Sequence, residues 1–143
     1  MNAAALEARV RRHEGLRLRP YRDTAGRLTI GVGRNLDDRG VSEAEALTLL
    51  RNDLAEVEAR LDAALPWWRA LDDARQEVLA EMGFNLGVEG LLAFHDTLAA
   101  VRAGRFVEAA AHMLASRWAG QVHGRATELA ELMRTGVDGE GTR

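Results

Sequence analysis

Apolar and polar positions change their period near residue 15 and again near residue 42, and each change marks a new kind of element. Leu6 and Val10 stand one turn apart within 3–13, and Asn2 precedes them as a side-chain cap, so the pattern predicts a first helix over Ala3–His13. Gly15 falls just past its end, where positive φ is common. Two short alternating runs follow. Leu16, Leu18 and Tyr21 are expected on one face of the first, and Leu28, Ile30 and Val32 on one face of the second. Between them Asp23, Thr24, Ala25 and Gly26 are turn formers. This predicts a small hairpin sheet and not a sandwich.

A polar loop is expected from Gly33 to Gly40, after which Ser42 and Glu45 form a capping box. Leu47, Leu50, Leu54, Val57, Leu61 and Leu65 then recur at spacings of three and four, predicting a long helix over about 42–64 that Pro66 ends. From Asp72 the pattern is helical and alanine-rich. It predicts helices over Asp72–Met82, Asp96–Ala103, Arg105–Ala115 and Gly124–Arg134, with turns at Gly83–Gly90, Gly104 and Gly120 and a loose tail over Thr135–Arg143. Trp67 and Trp68, directly after Pro66, are expected as buried aromatics at the junction of two lobes and not as a sugar-stacking platform. The fold class is therefore α+β and mainly α-helical, one domain of two lobes. The first comprises helix 3–13 with 14–41, helix 42–64 links the lobes, and 66–135 forms a helical bundle.

Composition narrows the chemistry. The chain contains no cysteine, which excludes disulfides and thiolate sites and leaves the redox compartment undetermined. Its four histidines show no ligand spacing such as HExxH, so no metal site is expected. No segment approaches the roughly 20 apolar residues of a membrane span, so no stable membrane insertion is expected. The N-terminus lacks the apolar stretch of a signal peptide, which implies synthesis in the cytoplasm. All 19 basic residues are arginine. Residues 1–39 carry nine of them against five acids, a basic lobe able to attract an anionic polymer or simply to solvate a surface.

Three residues between His13 and Leu36 are candidates for acid-assisted hydrolysis. Glu14 lies near the C-terminus of the first helix, where the dipole disfavours a negative charge and so suits a group that must deliver a proton. Asp23 lies in the turn and Thr29 on the second run. Two carboxylates held apart by a hairpin, with a hydroxyl near one, meet the needs of glycosidic-bond hydrolysis. Singly each has an ordinary reading: a helix-end acid, a turn aspartate, a strand threonine.

The segment HEGLRLRPYRDTAGRLTIGVGRNL resembles the active-site segment of the phage lysozymes, the endolysins of glycoside hydrolase family 24. The family pattern EG-x-R-x-x-x-Y-x-D-x-x-G-x-x-T-x-G-x-G is met by Glu14, Gly15, Arg17, Tyr21, Asp23, Gly26, Thr29, Gly31 and Gly33. The likeness continues through the capped helix, through Ala74–Gly87 and through Arg105–Arg125 to Gly136. It implies a lysozyme-like two-lobed fold and a muramidase cutting the β-1,4 bond between N-acetylmuramic acid and N-acetylglucosamine. Glu14 would be the acid and Asp23 the base, with Thr29 positioning the water in the inverting manner, without metal or cofactor. By the same likeness Gly33, Phe84, Asn85, Thr97, His112, Arg117 and Gln121 are substrate-binding positions, although Phe84 reads equally as a core aromatic and His112 reads more readily as a surface histidine. Arg125 would pair with Glu14. Arg34 stands where the family often has a histidine, and an Arg34–Asp53 ion pair would tie the hairpin to the long helix.

The likeness further implies peptidoglycan strands as partner, a monomer, and a separate holin to let the protein reach the wall beyond the membrane. A lytic transglycosylase, or an inactive wall-binding homologue, is the alternative. Nucleic-acid binding through Arg9, Arg11, Arg12, Arg17, Arg19 and Arg22 is not expected, because no aromatic platform accompanies these arginines.

Overall fold

The computed structural model describes residues 1–137, so most of the tail expected over Thr135–Arg143 lies outside the described residues. The fold is α+β and mainly helical, with one small sheet. The chain divides into two compact units, Met1–Leu49 and a second that begins at Leu50.

In the first unit, helix α1 (Ala3–Glu14) opens where Asn2 Oδ1 accepts the Ala5 N–H at 3.0 Å. It closes one residue later than its apolar spacing predicts, with Gly15 (φ +78°) donating its N–H to the Arg11 carbonyl at 2.8 Å. Glu14 is thus the last helical residue. Three antiparallel strands follow in the order β1 (Arg17–Arg22), β2 (Leu28–Gly31), β3 (Arg34–Asn35). β3 occupies the start of the expected polar loop. At two residues it has no period to read, and only its pairing of Asn35 with Thr29 and Arg34 with Ile30 defines it.

The shared apolar face expected on β1 does not form. Arg17 lies opposite Gly31 and Tyr21 opposite Thr29, so two extra residues bulge from β1 around Pro20, which has no N–H to give the ladder. The bulge exposes Leu18 to 81% and leaves Tyr21 half-buried.

Helix α2 (Glu43–Ala64) begins in the first unit and continues in the second. Its capping box forms as the sequence predicts: Glu45 N–H donates to Ser42 Oγ at 3.1 Å, and Ser42 N–H to Glu45 Oε1 at 2.9 Å. The second unit continues with a 3-10 turn at Trp68–Ala70 and helices α3 (Asp73–Leu86), α4 (Val88–Leu92), α5 (His95–Arg102), α6 (Phe106–Leu114), α7 (Arg117–Val122) and α8 (Gly124–Thr135). Leu61, Val78, Leu79, Met82, Leu91 and Met113 are fully buried at its centre. Trp68 is buried with them and donates its indole N–H to Asp62 Oδ1 at 2.7 Å, while Trp67 is half-buried.

The glycine-based turns are the main correction. α3 runs through Gly83 to Leu86, because a Cβ at Gly83 would stand 3.1 Å from Val57 Cγ1: this glycine lets two helices approach and does not break one. The break comes at Gly87, where φ is +77°. Gly120 lies inside α7, a helix absent from the sequence-based prediction, whose cap is Ser116 Oγ accepting the Ala119 N–H at 3.2 Å. Among the described residues no helix is long and apolar enough to cross a membrane.

Candidate active site

The β1–β2 turn places Asp23. Its Oδ1 accepts the N–H groups of Ala25 at 2.9 Å and Arg27 at 2.8 Å, the bonds of an aspartate folding its own turn. Both fall on one oxygen, so Oδ2 stays outside the turn. The Asp23 N–H in turn donates to the Arg27 carbonyl at 3.0 Å. Thr29, two residues into β2's pairing, is only 3% exposed and donates its hydroxyl hydrogen to that same carbonyl at 2.8 Å. The peptide groups flanking one residue, Arg27, therefore fix both the carboxylate and the hydroxyl. With its single hydrogen committed, Thr29 Oγ1 can only accept from anything else that approaches.

Two aspartates that the sequence reading left unassigned hold this hairpin. Asp37 Oδ2 accepts the Leu28 N–H at 2.7 Å and lies 3.6 Å from Arg22 Nη1. Asp38 receives Arg27 and the Asn35 side-chain amide. Their only signal in the sequence is their position just after the short β3.

Glu14 stands at the C-terminal end of α1 with its carboxylate over Gly33. A Cβ built on Gly33 would lie 3.0 Å from Glu14 Oε2 and 3.3 Å from its Cδ. Gly33 also has φ +73°, so both its backbone and its neighbour require glycine. The structure assigns Gly33 a concrete task beside Glu14: it leaves room for the carboxylate.

Arg34 takes a different partner from the expected Asp53. Its Nη1 donates to Glu45 Oε1 at 2.8 Å and to the Gly40 carbonyl at 3.3 Å. Glu45 is already fixed by the capping box at the foot of α2 and meets β3 without further ordering. The Arg34 guanidinium and the Ser42 N–H hold its carboxyl at about 2, well below the usual range. Asp53 instead lies on α2 in a groove of the second unit with Phe84, Glu56 and Arg60.

The second unit gathers four of the other expected residues around one cavity of about 470 Å³: Thr97, His112, Arg117 and Gln121. Trp118 forms part of its wall and is fixed by Asn85, whose Oδ1 accepts the indole N–H at 2.8 Å. Phe84 is not in this group; it is 40% exposed in the Asp53 groove. Arg125 donates from Nε to Glu81 Oε2 at 2.8 Å, a pairing between α8 and α3 that the sequence did not suggest. His95, Asp96 and Phe94 also line the cavity and were likewise unassigned.

The sequence profile of the family described as Phage lysozyme matches residues 11–134. Among known proteins, the chain is 31% identical to the pre-baseplate central spike protein of Enterobacteria phage T4, over 89% of this chain and 27% of that one. It spans about a quarter of that relative. It is 32% identical to a SAR-endolysin of Escherichia phage Mu, over 87% of this chain and 77% of that protein. With an endolysin of Acyrthosiphon pisum secondary endosymbiont phage 1 it shares 28% identity, over 87% and 85% of the two chains.

Proposed function

The chain belongs to the phage lysozyme family, and from that premise we propose that it is a muramidase, hydrolysing the β-1,4 bond between N-acetylmuramic acid and N-acetylglucosamine in peptidoglycan. Glu14 gives its proton to the leaving oxygen. Asp23 Oδ2 takes a proton from water on the opposite sugar face. Thr29 Oγ1, able only to accept, holds the other hydrogen of that water and so aims its lone pair at the anomeric carbon. The outcome is inversion, because the second carboxylate acts on water and not on the sugar. The reaction draws on protein groups alone.

The observation that carries this reading is the meeting of Asp23 and Thr29 at the Arg27 backbone. A turn aspartate needs no such companion, whereas a water-activating pair needs a base and an acceptor in fixed relation. The endolysin names of two relatives support lysis of a host cell as its setting. In that setting the chain acts as a monomer on the wall, once a holin has opened the membrane.

The test is digestion of purified peptidoglycan with product analysis by mass spectrometry. Wild type should release reducing muramic ends, and proton NMR of the fresh product, before mutarotation, should show the inverted anomer. Glu14→Gln and Asp23→Asn should each lose about 10²–10⁴ in rate, the usual share of a general acid or base. Anhydro ends would make the chain a transglycosylase. Binding without cleavage of any wall type would make it an inactive homologue.

A further inference from the structure

The peptide unit joining Arg27 to Leu28 is engaged at both of its ends. Its carbonyl oxygen accepts the Asp23 N–H at 3.0 Å and the Thr29 hydroxyl hydrogen at 2.8 Å, so two candidate catalytic residues share its lone pairs. Its N–H, which points the opposite way in a trans peptide, donates to Asp37 Oδ2 at 2.7 Å. One rigid plane therefore carries Asp23 and Thr29 on one edge and Asp37 on the other.

Asp37 reaches this plane because β3 ends early. The strand stops at Asn35, which lies opposite Thr29. The Leu36 N–H then donates to the Leu28 carbonyl at 2.7 Å, and the Asp37 side chain takes the Leu28 N–H. A carboxylate thus stands in for a strand carbonyl where the two-residue strand has run out. A hydrogen bond to a charged acceptor is about twice as strong as one between neutral groups. An N–H bonded to an anion also polarises its peptide, so the carbonyl at the far end becomes a better acceptor. The bond at Leu28 therefore tightens the hold on Thr29 and Asp23.

The loop is anchored in turn. Asp38 accepts from Arg27 Nη1 and Asn35 Nδ2 and gives its N–H to Asn35 Oδ1 at 3.0 Å. The Arg22 guanidinium, 3.6 Å from Asp37 Oδ2, forms an exposed pair and adds little. All of these contacts lie within the first unit.

We infer that Asp37 is a positioning residue for bond cleavage: through the Arg27–Leu28 peptide it sets where Thr29 Oγ1 and Asp23 stand. The inference rests on the muramidase reading, in which Asp23 and Thr29 hold the attacking water.

The test is kcat and KM on soluble peptidoglycan strands for wild type, Asp37→Ala, Asp37→Asn, Asp23→Asn and Asp37→Ala combined with Asp23→Asn. Urea denaturation establishes that each is folded under the assay conditions. Asp37→Ala should lower kcat about tenfold to fiftyfold, below the roughly 10²-fold of a misplacement of about 1 Å. KM should stay within about twofold, since the change is to water placement and not to sugar binding. Asp37→Asn keeps an oxygen for the Leu28 N–H and should recover most of the loss. With Asp23→Asn in place there is no base left to misplace, so Asp37→Ala should cost less than about threefold more. A loop that merely supports the fold would cost the same in both backgrounds. In wild type the Leu28 amide proton should resonate far downfield and exchange slowly in deuterated buffer, a readout that needs no variant. Full turnover by Asp37→Ala, equal losses in the alanine and asparagine variants, an undiminished cost beside Asp23→Asn, or a Leu28 amide exchanging as fast as an exposed one would each overturn the inference. An inert wild type, or full cleavage by Glu14→Gln, would instead overturn the muramidase reading and this inference with it.

Discussion

Gly33 and Gly31 provide a matched pair of perturbations. Both are in the positive-φ region, at +73° and +70°, so alanine at either costs roughly 1–2 kcal/mol in backbone strain. Their surroundings differ. A Cβ at Gly31 meets nothing within 4 Å, whereas at Gly33 it comes within 3.0 Å of Glu14 Oε2 and 3.3 Å of Cδ. The glutamate has rotatable bonds and will yield, moving its carboxyl by some fraction of an ångström up to about 1 Å. Misplacement of that size costs an acid up to about 10²-fold in rate. Urea denaturation should therefore show similar stability losses for Gly31→Ala and Gly33→Ala. Turnover of dye-labelled peptidoglycan should fall about tenfold to a hundredfold further in Gly33→Ala than in Gly31→Ala. Equal turnover in the two variants would refute the reasoning, since it would mean that Glu14 needs no clearance over Gly33.

Arg75 should be the costliest arginine to remove from the second unit. Its Nε donates to the Met133 carbonyl at 2.7 Å and its Nη2 to that of Arg134 at 3.1 Å, capping the end of α8, while the guanidinium lies 3.6 Å over the Phe106 ring. Arg75→Ala should lower unfolding free energy by about 2–4 kcal/mol in urea, and Arg75→Lys should recover less than half of it; a loss under about 1 kcal/mol would contradict this account of the α8 end. Glu45 predicts a pH effect. Its folded carboxyl is held at about 2, below the unfolded value near 4.5, so its stabilisation is complete above about pH 4.5 and fades as pH falls toward 2. Stability curves of wild type and Glu45→Gln should therefore be separated at pH 6 and converge toward pH 2; separation that grows on acidification would reverse the sign and refute the assignment.

The parts of the fold legible in the sequence are those whose cause is local. Asn2 and the Ser42–Glu45 box mark helix starts because a side chain within three residues satisfies the free N–H groups, and both form as expected. Glycine was ambiguous because it acts in two ways that look alike in sequence. Gly87 ends a helix through its own positive φ, but Gly83 sits mid-helix because Val57, 26 positions earlier, needs the space. The β1 face was misread for a similar reason. Alternation from Leu16 to Tyr21 assumes an unbroken ladder, and the bulge around Pro20 interrupts it.

The same division explains the site. Glu14, Asp23 and Thr29 are held by contacts within one compact unit, much of it within a few residues: Asp23 and Thr29 each bond to Arg27, and Glu14 ends its own helix. Their spacing in sequence was therefore close to a description of their setting. The cavity of the second unit draws on α5, α6 and α7, and nothing in the sequence sets His95 apart from any exposed histidine until those helices bring it to the same wall as His112 and Arg117. Charged partners were the least legible feature. Asp53 was the expected partner of Arg34, but an arginine in a small unit pairs with the carboxylate that is already fixed nearby. Glu45 is fixed twice over, by its place in the first turn of α2 and by the Ser42 N–H, and so binds Arg34 with little further loss of side-chain freedom. A capping residue is in this sense also a prediction of where a neighbouring cation will settle.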